Sequence, residues 1–424
     1  TLASVPLTNG TASYTTNTLA LGNHRITATF QENAKWAGSS NGIDRAIQLA
    51  PNLWAWGNNT RGQLGTGNYG VDLVTPTRAG TTTGWVAVET SGEHSAGIKA
   101  DGTLWTWGAN ESGQLGNGSS GSAIAPLPSQ VGTDRDWWKV STGYRYTLAL
   151  KTDGSLWSWG RNTAAQLGNG TTNPVFVPTR IGTRRWISVS AGYETSTGID
   201  INGAMWSWGN NGSGYGSAYA AGLGTGPSGE PLGFGTLYEP VPVQPQLRFR
   251  SVQRSKGQLG HVVAQTVDGR LIQWSFYGWF YGIPNDPCEG FITVNPTPVS
   301  NVTNWTDYAV SDSATLAIKA GTIFAWGSGS IGGGCLFGAF GFDSDWMAVA
   351  VGGGHAAAVK TDGTLWTWGS NLRGQLGDGT TTDRATPVQV GQNTRWLDVI
   401  ATGGASSNDF VDFSSSTMAI EDPS

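Results

Sequence analysis

The chain has 424 residues and a formal net charge of −5, from 24 basic and 29 acidic side chains, and charged residues make up only 12% of it. Because there is no basic excess and no run of Lys or Arg, we expect neither nucleic acid nor an anionic membrane surface as a partner. The sequence contains no apolar run of about 18 residues, so we predict no membrane span.

Residues 1–50 alternate apolar and polar side chains in short runs, which Gly-containing turns such as Asn9-Gly10 separate. This rhythm is typical of the strands of a β-sandwich. The segment resembles the latter half of the bacterial immunoglobulin-like repeats of large surface proteins, which implies a partial immunoglobulin-like domain. Either the missing strands belong to another part of the polypeptide, or the open edge accepts a strand from another chain, such as a copy of this one.

Residues 51–424 contain two aromatic markers that recur in step. The first marker is the last Trp of phrases such as LWTWG. It stands at Trp56, Trp107, Trp159, Trp208, Trp274, Trp326 and Trp368. The second stands at Trp85, Trp137, Trp186, Phe249, Trp305, Trp346 and Trp396. Turn dipeptides such as Asp101-Gly102 lie between them and indicate tight hairpins with positive φ at both central residues. The pattern therefore predicts seven small antiparallel sheets.

The phrase LWTWG places Trp105 and Trp107 on one face of a strand and its Leu and Thr on the other. A small sheet cannot cover two apolar faces alone, but a ring of sheets stacked face to face covers both. Each Trp brings roughly 200 Å² of burial and prefers edge-on aromatic contacts. We therefore expect these indoles to form the core. The alternative is an exposed ladder of Trp rings on which a ligand stacks.

The segments WGANESGQLGNG (107–118) and WGSNLRGQLGDG (368–379) carry a further pattern around the first marker. They resemble the regulator of chromosome condensation repeat, and the resemblance extends over roughly 53–420. It implies an all-β fold, a seven-bladed β-propeller over residues 51–424, closed when the last strands (around 396–412) join the strand near Trp56. The residues after Asp412 supply either another strand or a tail.

Three consecutive units depart from the repeat, and on a ring they would form one sector. The fourth carries an insertion over 210–237, and the fifth and sixth place aromatic side chains where polar loop residues are expected. We predict a partner-binding cluster of Phe276, Tyr277, Trp279, Phe280, Tyr281, Phe337 and Phe340, because exposed aromatic patches mark interfaces. The alternative is that these rings bury one another beneath enlarged loops.

Cys288 and Cys335 are the only cysteines, and they lie in corresponding loops of the fifth and sixth units. We predict that they form a disulfide, which would stabilise the chain by about 3–4 kcal/mol through loop closure. An even number of cysteines and the low charge suggest an oxidising exterior. The expected location is therefore extracellular or at the cell surface.

His94, His261 and His355 occupy one position of the repeat, where Tyr146, Thr195 and Ser313 stand in other units. Tolerance of Tyr, Thr and Ser favours a structural hydrogen bond over a metal ligand or a general base. By the same argument, we expect four repeated glutamines to hold loop backbones through their amides: Gln63, Gln114, Gln166 and Gln375.

No motif in the sequence carries catalytic chemistry. The G-x-G-x-x-G segments at 65–70 and 116–121 lack the helix that a phosphate-binding loop requires. We therefore expect no enzyme, cofactor or metal site, and instead a non-catalytic propeller of a bacterial surface protein that binds proteins in an assembly, filament or adhesion. The alternatives are a carbohydrate-binding module that takes glycans and an inhibitor of a secreted enzyme. The resemblance alone carries over neither the nucleotide exchange nor the chromatin binding of the family's eukaryotic namesake.

Overall fold

The computed structural model describes residues 22–30, 39–47, 50–210, 235–243, 246–257, 260–274, 297–300, 302–312, 314–327, 331, 338–339, 341, 343–402 and 415–422. The chain forms two compact units, one of Thr1–Ala50 with Pro423–Ser424 and a second of Pro51–Asp422. The described strands are, in chain order, β1 (Gly22–Phe30), β2 (Ser39–Ile47), β3 (Asn52–Gly57), β4 (Leu73–Arg78), β5 (Trp85–Thr90), β6 (His94–Lys99), β7 (Leu104–Asn110), β8 (Gly121–Gln130), β9 (Trp137–Gly143), β10 (Tyr146–Lys151), β11 (Ser155–Gly160), β12 (Val175–Ala191), β13 (Thr195–Asp200), β14 (Met205–Asn210), β15 (Thr236–Val243), β16 (Phe249–Arg254), β17 (Val262–Thr266), β18 (Leu271–Trp274), β19 (Thr297–Pro298), β20 (Asp307–Val310), β21 (Ala314–Lys319), β22 (Thr322–Gly327), β23 (Gly338–Ala339), β24 (Trp346–Val351), β25 (His355–Lys360), β26 (Leu365–Gly369), β27 (Arg384–Gln389), β28 (Trp396–Thr402) and β29 (Ser416–Glu421).

The described part of the first unit is an antiparallel ribbon. Strands β1 and β2 pair in continuous register, from Gly22 opposite Ile47 to Phe30 opposite Ser39. Among the described residues of this unit, β1 and β2 form the only sheet. The described residues therefore show no immunoglobulin-like sandwich, and that expectation stays a prediction.

The second unit is an all-β propeller whose described strands form seven four-stranded antiparallel blades, numbered here by the repeat units. Blades 2, 5, 6 and 7 are β5–β8, β16–β19, β20–β23 and β24–β27. Blades 3 and 4 share the 17-residue strand β12, whose first half is the outer strand of blade 3 and whose second half is the inner strand of blade 4. Blade 1 is composite, with the order β28-β29-β3-β4.

The blades close into a ring. Each innermost strand contacts the innermost strand of the next blade, and β28 of blade 1 contacts β5 of blade 2. A composite blade was expected from the sequence, but the strand that pairs with β3 is Ser416–Glu421, which lies beyond the predicted bound at residue 412. The structure also resolves the alternative left open after Asp412, because Ser416–Glu421 forms β29, which pairs with both β28 and β3.

The hairpins differ in detail from the sequence prediction. Gly102 has a φ of 77°, but Asp101 is not among the positive-φ residues, so the turn is not one with two left-handed central residues. Instead Gly102 N–H bonds to Lys99 O, and Lys99 N–H bonds to Thr103 O, around a three-residue loop that ends in a left-handed Gly. The Asp101 carboxylate accepts a hydrogen bond from the Thr103 N–H and thereby explains the Asp at this position.

The Trp phrases form the core, as predicted. In blade 2, Trp107 is fully buried, and the Trp85 ring contacts both Trp105 and Trp107 edge-on, at centroid distances of 6.2 and 5.6 Å. The Trp107 indole N–H donates to the Gln63 carbonyl oxygen in the loop of blade 1, at 2.7 Å. Trp56, Trp159 and Trp208 donate to the equivalent Gln carbonyls of their preceding blades. The indoles therefore join neighbouring blades as well as filling them.

Candidate functional site

The predicted aromatic cluster cannot be placed. All of its members lie outside the described residues: Phe276, Tyr277, Trp279, Phe280, Tyr281, Phe337 and Phe340. Cys288 and Cys335 also lie outside them, so the disulfide remains a prediction. The candidate site is therefore built from the loops that the structure describes.

The repeated histidines and glutamines act as hydrogen-bonding groups, as predicted. The His94 ring is bonded to Ser91 and to Thr147 of the next blade, and burial, helped by the charge of Lys256, lowers the pKa of His94 to about 3. His355 is bonded in the same way to Thr417 of the next blade. The four glutamine side chains each accept a backbone N–H two residues earlier: Gln63, Gln114, Gln166 and Gln375. The histidine bond links blades, which the sequence alone did not indicate.

The propeller has two faces, which we call the loop face and the hairpin face. Antiparallel strands reverse direction at each turn, so the connections from first to second strand and from third to fourth strand emerge at the same end of a blade. These connections form the loop face. The Asp-Gly hairpins between the second and third strands lie at the other end, on the hairpin face.

The loop face carries a groove of about 380 Å³ between blades 2, 3 and 4. Tyr144 and Tyr193 stack in it with ring centroids 4.4 Å apart and planes 15° from parallel. Both rings are half-buried. The guanidinium carbons of Arg145 and Arg161 lie 5.2 and 5.4 Å from the Tyr144 ring centroid, within the range of cation–π attraction. The groove therefore presents two aromatic rings and two guanidinium groups together.

A chain of ion pairs fixes the basic side chains around these rings. Arg145 Nε donates to Glu93 at 2.7 Å, and Arg145 Nη2 lies 3.3 Å from Glu111. Arg161 Nη2 donates to Glu194 at 2.8 Å. Since each pair joins two neighbouring blades, the guanidinium groups are held in place before any partner arrives, which lowers the entropy cost of binding.

The electrostatic environment keeps these groups in their ordinary charge states near neutral pH. Burial alone would lower the pKa of Arg145, but the hydrogen bond and negative charge of Glu93 outweigh burial and raise that pKa. Burial, reinforced by the charge of Glu93, raises the pKa of Tyr144. Arg145 is therefore a permanent cation and Tyr144 a neutral phenol. This combination suits recognition, because Tyr and Arg are the residues that most often dominate protein interfaces.

The sequence itself contains a signal for this site. At one loop position, Tyr144 and Tyr193 stand where Gly92 and Gly353 stand in other units. The repeat therefore does not require an aromatic side chain there. The next position carries Glu93, Arg145 and Glu194 in three consecutive blades, and this alternation of sign predicts the ion pairs once the blades are known to be neighbours.

The central channel is another cavity, of about 350 Å³, and three of its polar side chains accept backbone N–H groups. Ser141 and Ser190 accept the N–H groups of Ala191 and Arg254 in the next blade, and Asp307 accepts that of Val349. Burial raises the pKa of Asp307 to about 6. These bonds connect neighbouring blades around the channel.

Two absences among the described residues bear on function. These residues contain no group of three or more His, Cys, Asp or Glu side chains that could hold a metal ion. They also include no helix long and apolar enough to cross a bilayer. Both statements concern only the part of the chain that the structure describes.

Comparisons with known proteins agree with the fold. A structure of human WBSCR16 has a TM-score of 0.69 at 19% identity and covers 88% of this chain and 99% of that one. Saccharomyces cerevisiae Prp20p has a TM-score of 0.68 at 18% identity and covers 89% and 92%. At these identities the likeness shows the fold alone.

Sequence relatives match over part of their length. The human E3 ubiquitin-protein ligase HERC2 is 27% identical over 356 residues, which is 78% of this chain but 7% of that protein. The ultraviolet-B receptor UVR8 of Arabidopsis thaliana is 31% identical over 148 residues, 34% of this chain and 33% of the receptor. The chain therefore spans less than two thirds of the length of these relatives.

Family models locate the repeats directly. The model described as the regulator of chromosome condensation (RCC1) repeat matches residues 52–98, 101–150, 153–199 and 362–407. A second model with the same description matches 85–114, 139–166, 186–214 and 348–375, and together the two cover more than half of the chain. Their boundaries follow blades 1–4 and 7, where the Trp and Gln contacts described above recur. The chain belongs to the regulator of chromosome condensation (RCC1) repeat family of β-propellers.

Proposed function

We propose that this propeller is a protein-binding module and that the groove on the loop face is its contact surface. The observation that carries the proposal is the half-buried stack of Tyr144 on Tyr193, flanked by Arg145 and Arg161. These side chains are large and already held in place, so a partner would gain contact area at a low entropy cost. A solved structure of yeast Prp20 is bound to Kap60, and another Prp20p structure concerns binding to Gsp1p and histones, so this fold supports protein binding in that relative.

The test compares the proteins that the full chain captures with those that two single variants capture, Tyr144→Ala and Tyr193→Ala. Tyr69→Ala is the matched control, because that Tyr is 55% exposed, belongs to blade 1 and does not line the groove. A protein retained by the wild type and by the control, but lost with both groove variants, identifies the partner. Calorimetry with the purified partner should then show binding at least about tenfold weaker for each groove variant. Equal binding by all four proteins would overturn the proposal.

The remaining expectations from the sequence stay proposals and have tests of their own. We propose a non-catalytic role outside the cell or at a bacterial surface, from the low charge and the two cysteines. Mass analysis before and after reduction should show one disulfide, and two free thiols would contradict it.

Glycan binding that is lost on Trp279→Ala would favour the carbohydrate alternative, and concentration-dependent oligomers would favour assembly through the region 1–50.

A further inference from the structure

We propose that the central channel of the propeller binds a small zwitterion of the ω-amino acid class, in which a carbon chain separates an ammonium group from a carboxylate. Lys139 binds the carboxylate, and Asp307 binds the ammonium group. Both side chains line the channel cavity of about 350 Å³. This volume falls in the range of roughly 300–1,000 Å³ that is typical of small-molecule sites.

The two charges lie on opposite walls of the channel, at one level. Each stands two residues after the second aromatic marker of its repeat, which is Trp137 in blade 3 and Trp305 in blade 6. The innermost strands that carry them, β9 and β20, are three blades apart in one direction around the ring and four in the other. No two positions in a ring of seven blades are farther apart. A ligand that contacts both groups must therefore span the channel.

The repeat does not require a charge at this level. Four other blades carry small uncharged side chains at the equivalent position: Ala87, Ser188, Ser251 and Ala348. Ser188 accepts the N–H of Val252 in the next blade at 3.4 Å. Asp307 accepts the N–H of Val349, the equivalent residue of its own next blade, at 2.9 Å. A neutral hydroxyl therefore makes the same contact, and the charge of Asp307 needs another explanation.

Lys139 is a half-buried ammonium group that forms no ion pair with any described residue. Its Nζ donates to Ser188 Oγ at a long 3.4 Å and lies 5.7 Å from the centroid of the Trp138 ring. The nearby carboxylate of Glu89 is already paired with Lys256, at 3.1 Å. Burial lowers the pKa of Lys139, and the charge of Glu89 opposes only part of that shift. A carboxylate in the channel would supply the missing countercharge.

Asp307 requires a group of the opposite sign. It is half-buried, and its Oδ1 and Oδ2 each accept one backbone N–H, from Tyr308 and Val349. Burial, to which the charge of Asp398 adds, raises the pKa of Asp307 to about 6, and no cationic side chain contributes to that shift. Since an ionised carboxylate has about four acceptor sites, about two remain for an ammonium group.

The two unpaired charges together select the ligand. A simple anion or cation would satisfy one wall and leave the other charge unpaired in a partly buried site, which costs free energy. A zwitterion satisfies both walls at once. Because the walls face each other across the channel, we expect an α-amino acid, which carries both charges on one carbon atom, to reach only one of them.

The test is a calorimetric titration of the full chain with 6-aminohexanoate, at a pH well above the pKa of Asp307. Saturable binding by the wild type is expected. Hexanoate and hexylamine each lack one of the two charges and should bind at least about tenfold more weakly, because one charge-assisted hydrogen bond is lost. Glycine should also bind at least about tenfold more weakly, because its charges are too close together.

Two variants test the walls separately. Lys139→Ser should weaken the binding of 6-aminohexanoate about tenfold and leave that of hexylamine unchanged. Asp307→Ser should weaken the binding of 6-aminohexanoate equally and leave that of hexanoate unchanged. Both variants should fold, because Ser188 and Ser251 occupy this position in other blades. Lys319→Ser is the matched control, because Lys319 is also half-buried but does not line the channel.

Three outcomes would overturn the inference: no saturable binding of 6-aminohexanoate by the wild type, equally tight binding of hexanoate or hexylamine, or an equal loss of binding with Lys319→Ser. A loss of hexylamine binding with Lys139→Ser would also contradict it, because that result would indicate a general disturbance of the channel.

Discussion

The close approach between blades can be tested at one glycine. Gly116 belongs to the G-Q-L-G loop of blade 2 and has a φ of 69°. A Cβ at Gly116 would lie 2.7 Å from Nε1 of Trp159 in blade 3, and that indole N–H already donates to the Gln114 carbonyl oxygen at 2.9 Å. Trp159 is fully buried and cannot move aside without disturbing its blade. Gly116→Ala should therefore strain the backbone and separate two blades at once.

The expected size of the effect is the sum of three costs. A left-handed φ costs an L-residue about 1 kcal/mol, and overpacking a rigid interior costs about 1–3 kcal/mol. Weakening of the indole hydrogen bond adds about 1 kcal/mol. We expect Gly116→Ala to lower the free energy of unfolding by about 3–5 kcal/mol, measured by urea unfolding followed by circular dichroism.

Gly132→Ala is the matched control, because Gly132 has a φ of 61° but no atom within 4 Å of a built Cβ. It should cost about 1 kcal/mol, from backbone strain alone. Adding Trp159→Phe to Gly116→Ala removes the pyrrole nitrogen that causes the clash, so the double variant should lose less than the sum of the two single variants. Equal destabilisation by the two Gly variants, or strict additivity in the double variant, would refute the blade contact as described.

Three more perturbations probe the ring. The folded pKa of His94, about 3, lies below its unfolded value of 6.5, so its contribution to stability is present above pH 6.5 and is lost as the pH falls towards 3. When the pH falls from 7 to 5, the free energy of unfolding of the wild type should decrease by about 2 kcal/mol more than that of His94→Gln, as measured by urea unfolding. Asp307 has the opposite sign, because its folded pKa of about 6 lies above 3.8, so stability falls as the pH rises from 4 to 6. Asp307→Asn should therefore raise the free energy of unfolding at pH 8 by up to about 3 kcal/mol in the same urea assay, and a lower value than that of the wild type would contradict this sign. Met418→Asp puts a charge into the fully buried part of β29 and should abolish cooperative unfolding by circular dichroism, whereas Leu397→Asp, at a 44% exposed site on β28, should not.

The repeat markers predicted the ring because they are local features of each blade. The Trp phrase and the Asp-Gly turn each specify a strand or hairpin within a few residues, so the units could be counted from the sequence. The strand Ser416–Glu421 was left open, because STMAIE carries neither marker. It becomes a strand through its two partners, β28 and β3, which lie at opposite ends of the propeller sequence.

The groove on the loop face could not be predicted in the same way. Arg145 and Glu93 are 52 residues apart, and they meet only when blades 2 and 3 stack. The predicted aromatic cluster is not tested, because its residues lie outside the described ones.

The pairing within blade 1 has a mechanical consequence. Asn52 lies opposite Glu421 in the two central, antiparallel strands of blade 1, so the polypeptide enters and leaves the propeller at the same end of one sheet. A force that pulls residues 52 and 421 in opposite directions would break the hydrogen bonds between β3 and β29 one after another, starting at that end of the two strands. Strands loaded in this direction resist far less force than strands that are sheared along their length. The propeller should therefore yield under load at blade 1 first, while the other blades still hold together.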